Sequence, residues 1–326
     1  MRNWRLLLRL LPGAASLVFS LVAGAQSYPA KPVKLVVPST PGGSADLVGR
    51  AIAQKLSETW PHPVVVENRP GGADVIGVDF VAKSAPDGYT WVLATNSVLV
   101  NAPHLFKLPF DVFRDFTPVM QVVTVPFFMV VNPSVPAKSV SELIEYAKAN
   151  PNALNYGSSG TGAHQHLVTE LFKRASGINM LHVPYKGSAP TITDLIGGRI
   201  QVYVGVAGLL MPHIKSGRLR ALASAGGRRP ADFPDLPTIA ETVPSFGTKL
   251  GDPWLGLFMP ANAPQAIVSR VNADASAVLN TPEMKTFLAG RGFDVATSSP
   301  EGLAATLRED SATWGRVIRE ANIKAD

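Results

Sequence analysis

Two short stretches concentrate the residue types from which a ligand cradle can be built. Ser39-Thr40-Pro41-Gly42-Gly43-Ser44 follows the β-branched run Val33 to Val37, and Gly157-Ser158-Ser159-Gly160-Thr161-Gly162 follows Leu154 to Tyr156. After the first, Leu47, Val48, Ala51, Ile52 and Leu56 fall on one helical face; after the second, His164, Leu167, Val168 and Leu171 do the same. Glycine lets a backbone approach a ligand closely, and the first-turn amides of the following helix lack intrahelical partners. Each junction can therefore hold a carboxylate or phosphate. A single such junction is commonplace, because glycine also serves turns. Two of them, both at the carboxyl ends of strands and one in each half of the chain's α/β pattern, point to a ligand gripped from two sides.

Rival chemistries for these residues fail on spacing. Glu67 stands where a ribose-binding acid would follow the second strand, but Gly42-Gly43-Ser44-Ala45-Asp46 lacks the G-x-G-x-x-G fingerprint, and no P-loop lysine follows the second junction. A serine hydrolase using Ser159 with His164 is the enzymatic alternative. Its nucleophile elbow is missing, because Gly160 follows Ser159 directly and Thr161 occupies the place of the last glycine. His164 and His166 diverge on a helix, and Val168 sits where a second metal ligand would be needed, so His164 reads as internally satisfied or ligand-facing. The other four histidines, His62, His104, His182 and His213, are isolated. Asp46 lies in a helical first turn and complements the dipole; Asp74, at another helix entrance, reads first as an N-cap and alternatively as a carboxylate facing the ligand.

Positioning two such loops takes two α/β units. Strands are expected at Val33 to Val37, Val64 to Val66 and Thr90 to Ala94, a Rossmann-like half, then at Val119 to Val123 and Phe127 to Val131. A capping box, Ser139-Val140-Ser141-Glu142, opens the next helix, and a second half follows with strands at Leu154 to Tyr156, Met180 to Val183, Ile200 to Val204 and Leu219 to Ala223. After an extended run, Trp254 to Met259, only helices remain, at Gln265 to Leu279 and Pro300 to Ile318. The C-terminal part is expected to pack back on the first half, with hinge strands near Phe127 to Val131 and Trp254 to Met259. The expected fold is an α/β clamshell of two Rossmann-like lobes joined by two crossing strands. Residues 26–125 and 253–326 form lobe 1, and residues 126–252 form lobe 2.

With 326 residues, 46% hydrophobic and 17% charged, the chain has ample material for a core and is not disordered. Residues 1–25 carry Arg2, Arg5 and Arg9, an apolar stretch from Leu10 to Val22, and the small-x-small pattern Ala23-Gly24-Ala25, which together read as a signal peptide cleaved before Gln26. Without that segment 27 basic residues face 24 acidic ones, a net +3 with no basic run interleaved with aromatics, so nucleic acid is not the expected partner. Zero cysteines exclude disulfides, thiolate sites and a lipid-bearing cysteine. A soluble, periplasmic monomer without a cofactor is expected.

Ordered blocks along the whole mature chain resemble one family. Lys31-Pro32-Val33, Pro41-Gly42-Gly43 with Asp46, Glu67-Asn68-Arg69-Pro70-Gly71, Pro86-Asp87-Gly88-Tyr89-Thr90, Tyr156-Gly157-Ser158-Ser159-Gly160, His182-Val183-Pro184-Tyr185-Lys186-Gly187 and Leu219-Arg220-Ala221-Leu222-Ala223 are similar to those of the Bug family, the periplasmic solute-binding components of tripartite tricarboxylate transporters. The resemblance implies a receptor that performs no chemistry. It would bind a small organic carboxylate between its lobes and deliver it to membrane permease subunits; a ligand sensor for a signalling receptor would share the same fold. By motif match it implies Gly42, Gly43 and Asp46 on one side of the ligand site and Ser158, Ser159, Gly160 and Gly162 on the other; the expected site adds Ser39, Thr40, Asp74 and Asn96 to the first and Thr161, His164 and Tyr185 to the second. Relatives usually carry Ala-Gly-Gly where this chain has Gly72-Ala73-Asp74.

Overall fold

The computed structural model describes residues 28–72, 74–230, 233–247 and 252–324. The expected signal peptide over residues 1–25 lies outside the described residues. In chain order the strands are β1 (Val33–Val37), β2 (Val64–Asn68), β3 (Thr90–Thr95), β4 (Phe116–Thr124), β5 (Phe127–Val131), β6 (Asn155–Ser158), β7 (Leu181–Pro184), β8 (Val202–Val206), β9 (Arg220–Ser224), β10 (Trp254–Pro260) and β11 (Asp294–Val295). The helices are α1 (Ser44–Thr59), α2 (Val75–Ala82), α3 (Ala102–Leu105), α4 (Val140–Ala149), α5 (His164–Ser176), α6 (Ser188–Ile196), α7 (Ala207–Lys215), α8 (Ile239–Thr242), α9 (Gln265–Leu279), α10 (Pro282–Ala289) and α11 (Pro300–Glu320).

The strands form two sheets, ordered β11-β4-β10-β3-β1-β2 and β7-β6-β8-β5-β9. In the first, β1 lies parallel between β2 and β3, and β10 runs antiparallel between β3 and β4. In the second, β6 lies parallel between β7 and β8, and β5 runs antiparallel between β8 and β9. Both sheets thus follow one plan: three parallel strands in the order second, first, third, then the strand just arrived from the other sheet, then β4 and β11 in the first sheet or β9 in the second. The chain leaves the first sheet between Thr124 and Phe127 and returns ahead of Trp254. There the Val125 N–H donates to Pro253 O at 2.8 Å and the Phe127 N–H to Asp252 Oδ1 at 2.8 Å.

Strand β1 is buried at Val33, Leu35, Val36 and Val37 and half-buried at Lys34, so it reads as an apolar run broken by one lysine. Val33, Leu35 and Val37 pack with Val48, Ile52 and Leu56 of α1 and Val268 and Val271 of α9, while Val36 faces Val78 and Val81 of α2. The core on the Val36 side continues through Trp314 and Val317 of α11 to Phe127, Met129, Leu167 and Phe172 beside the second sheet. Helix α11 is therefore shared by both halves, and Glu320 adds an ion pair to Arg174 of α5 at 2.7 Å.

Two local expectations change: the stretch after β10 holds the short strand β11 as well as helices, and the box at α4 is incomplete. Ser139 caps α4 by accepting from the Glu142 N–H at 3.2 Å, but the Glu142 carboxylate accepts from the Lys138 N–H at 2.7 Å, so the expected capping box is not reciprocal. A reciprocal box does open α8, between Thr238 and Glu241. After β3 a π-helical turn, Ser97–Asn101, leads into α3. Among the described residues no helix is long and apolar enough to cross a membrane.

Candidate functional site

Both glycine-rich loops leave their sheets at the same topological position, the carboxyl end of the first parallel strand, where the strand order reverses and α/β ligands bind. The first loop turns at Gly42, φ 82°, and enters α1 at Gly43. Asp46 is 3% exposed and folds back on this turn. Its Oδ2 accepts from the Gly42 N–H at 2.8 Å and Arg50 Nε at 3.0 Å, and its Oδ1 accepts from Asn68 Nδ2 at 2.9 Å. Burial pushes the Asp46 acid up, but these hydrogen bonds outweigh it and hold the carboxyl below its ordinary range. Both Asp46 oxygens thus hold the loop in shape. Thr40 is exposed, and its carbonyl accepts from the Gly43 N–H at 3.2 Å. Ser39 Oγ is buried without a protein partner, as are Thr95 Oγ1 and Asn96 Oδ1 at the end of β3.

The second loop is held by a network that local spacing does not reveal. Ser158 is fully buried, and its Oγ donates to Gly160 O at 2.9 Å and meets His182 Nε2 at 2.7 Å. Gly160 and Gly162 adopt φ of 144° and 77°. The Gly162 N–H donates to His166 Nδ1 at 3.1 Å, which requires a neutral ring, and burial pushes the His166 pKa down accordingly. Ser159 Oγ donates to Gln165 Oε1 at 3.0 Å. The Tyr185 N–H donates to Ser158 O at 3.0 Å, while its hydroxyl, pushed up to about 12 by burial and by Asp194, donates to Asp194 Oδ2 at 2.9 Å. Thr161 is partly buried in this loop. His164, 4% exposed, lies edge-on between Phe127 and Trp314, with ring centroids 5.3 and 5.2 Å away. Ser158 and the Tyr185 hydroxyl thus have protein partners that support the loop, and Ser159 Oγ is engaged with Gln165.

The distribution of helix caps follows the same edge. Helices α1, α2, α5, α6 and α7 all begin where parallel strands end, and none has a side-chain cap. Away from that edge, Ser139, Thr238, Thr281 and Ser299 cap α4, α8, α10 and α11; α9 and the one-turn α3 lack such caps. Uncapped first turns keep partial positive charge and free donors, which suit an anion. Asp74 stands at the N-cap position of α2 with φ 74° and makes no cap hydrogen bond, so its side chain is not the cap expected of it. Burial pushes its acid up to about 6.

The profile described as "Tripartite tricarboxylate transporter family receptor" matches residues 48–323. The chain belongs to this family. Protein BugT of Bordetella pertussis is 34% identical over 303 residues, covering 92% of each chain. A solved R. palustris protein with adipate is 35% identical with a TM-score of 0.75, covering 91% of this chain and 99% of that one. MatC from Rhodopseudomonas palustris with bound malate is 29% identical with a TM-score of 0.71, covering 89% and 100%.

In this receptor the supports that the sequence reading passed over are Asn68, Gln165, His166 and His182. His182 had a signal, since it opens one of the family blocks, but its partner Ser158 lies on a different strand. Glu67, the candidate ribose acid, is paired with Lys34 at 2.7 Å and with Arg69. A separate depression of about 520 Å³, lined by Pro133, Ile214, Leu219, Arg220 and Phe233, lies at the opposite edge of the second sheet from the glycine loop.

Proposed function

We propose that this chain is an exported, periplasmic solute receptor that binds a small organic carboxylate between two lobes, residues 26–125 with 253–326 and residues 126–252, and hands it to the permease subunits of a tripartite transporter. It acts as a monomer and performs no chemistry. The observation that carries the reading is the equivalent placement of the two glycine loops, one per sheet, each opening an uncapped helix at the strand-order reversal. Two family structures, solved with adipate and with malate, agree in ligand class. The ligand carboxylate is taken by the first-turn amides of α1 and α5, which the turns at Gly42, Gly43, Gly160 and Gly162 present, and by the hydroxyls of Ser39, Thr40 and Thr161, with Asp46, Ser158 and His166 holding the loops in place.

A thermal-shift screen of the purified protein over organic acids, adipate and malate included, tests this. A ligand at 100 times its dissociation constant adds about 2.7 kcal/mol to the folded state. Silence across the screen would overturn the reading, and ester turnover that depends on Ser159 would overturn the absence of chemistry.

A further inference from the structure

We propose that Asp74 gives this receptor a hydrogen-bond-accepting, cation-preferring corner, so that its ligand carries a protonated amine or similar donor opposite its carboxylate. The inference rests on the receptor reading above and specifies the ligand class within it.

Neither backbone geometry nor helix capping calls for a carboxylate at this position. Among the described residues Asp74 is one of four non-glycine residues with positive φ, and the other three are Asn152, Asn262 and Asn322. Asparagine tolerates that conformation equally well. Two first-turn amides of α2 are already satisfied by backbone, since the Val75 N–H donates to Gly72 O at 3.1 Å and the Ile76 N–H to Gly71 O at 3.4 Å. Nor does the carboxylate serve an ion pair among the described residues. The cations on the same edge are engaged elsewhere: Arg50 by Asp46 and Asn68, Lys34 by Glu67, and Arg69 by Glu67 and the face of Phe80 at 3.6 Å. Asp74 remains partly open to solvent, yet it is crowded enough that burial alone raises its pKa.

A second observation on the same edge points to the same kind of ligand. Helix α2 packs on β1 and β3, so its N-terminus stands beside their carboxyl ends. There Asn96, 1% exposed, keeps its Oδ1 without a donor, and Ser39 Oγ and Thr95 Oγ1 lack partners as well. An amide oxygen and a carboxylate can only accept. A ligand presenting nothing but carboxylates leaves both unsatisfied and brings like charge toward Asp74, whereas an ammonium satisfies both. The uncapped turns of α1 and α5 remain for the ligand's own carboxylate.

Calorimetry on the intact mature protein with matched pairs tests the assignment. The pairs are succinate with 3-aminopropanoate, glutarate with 4-aminobutanoate, and adipate with 5-aminopentanoate, each exchanging one terminal carboxylate for an ammonium. The amino member of the best-fitting pair is expected to bind at least about tenfold more tightly to wild type, and Asp74→Asn to level or reverse the ranking. Asp74→Gly, which suits the same backbone, should do the same and guards against a folding defect in the amide variant. Dicarboxylates binding wild type as well as their amino partners, with ranking unchanged in both variants, would overturn the corner and leave the receptor standing. If none of the six probes binds and the wider acid screen is also silent, the receptor reading falls and this inference with it.

Discussion

Asp46 and Asp74 place the same side chain in opposite circumstances on one edge of one sheet. Asp46 is satisfied at both oxygens and its pKa is depressed, so it contributes stability above the ordinary carboxylate pKa that is lost as pH falls through its folded value. Asp46→Ala should cost about 1–3 kcal/mol at pH 7 and free the Gly42 amide. Asp74 has the reverse sign. Its folded pKa of about 6 exceeds the ordinary aspartate value of 3.8, so between these values the folded chain binds more protons than the unfolded one, and stability falls as pH rises. Asp74→Asn should therefore stabilise the unliganded protein above pH 6 by on the order of 2 kcal/mol and have no effect below pH 4. Urea denaturation of wild type and variant at the two ends of this range reads the difference. A variant less stable than wild type at pH 7 would mean that Asp74 has a favourable role in the free protein.

At the scale of loops and helices, the two cradles should respond differently to a side chain. Gly43 has an ordinary φ of −73°, and an added β carbon would lie 3.3 Å from Thr40 O, so Gly43→Val keeps the fold while filling the space beside the amides. Gly160 sits at φ 144°, and Gly160→Val adds strain of roughly 1–3 kcal/mol. Both variants should retain a cooperative melt, Gly160→Val at lower temperature, and neither should bind in calorimetry; normal binding by either would remove that loop from the site. The elements carrying these loops were readable because their signals are local. Val33 to Val37 is apolar but for Lys34 and leads into a proline- and glycine-rich turn, and Gln265 to Leu279 keeps one helical face from end to end. What escaped depends on partners chosen by tertiary structure. Glu142 reaches past Ser139 to Lys138, Thr238 and Glu241 form the box instead, and Ser158 finds His182 only once β6 and β7 are side by side. Asp46 was legible as a first-turn acid, but its fold-back onto Gly42 and Asn68 needs β1 and β2 paired in register.

For the whole molecule, the bonds at the crossing define where motion can occur. The Val125–Pro253 and Phe127–Asp252 hydrogen bonds tie the two passages together, and α11 backs them through Trp314. Rotation about this point would bring the two loops onto one ligand. Small-angle scattering should show a smaller radius of gyration with a saturating carboxylate than without, alongside slowed hydrogen exchange at both loops; no change in either measurement would exclude hinge closure. The uneven distribution of helix caps also bears on how this protein can change over generations. A serine or aspartate placed at Gly43 or Ala163 would add a cap worth about 1 kcal/mol, and the same hydroxyl or carboxylate would occupy the amides that receive the ligand. Heat tolerance can thus accumulate freely on the far ends of the lobes, whereas along the cleft each gain in ruggedness is a loss of appetite for ligand, and a lineage adapting to hotter surroundings has to find its stability elsewhere.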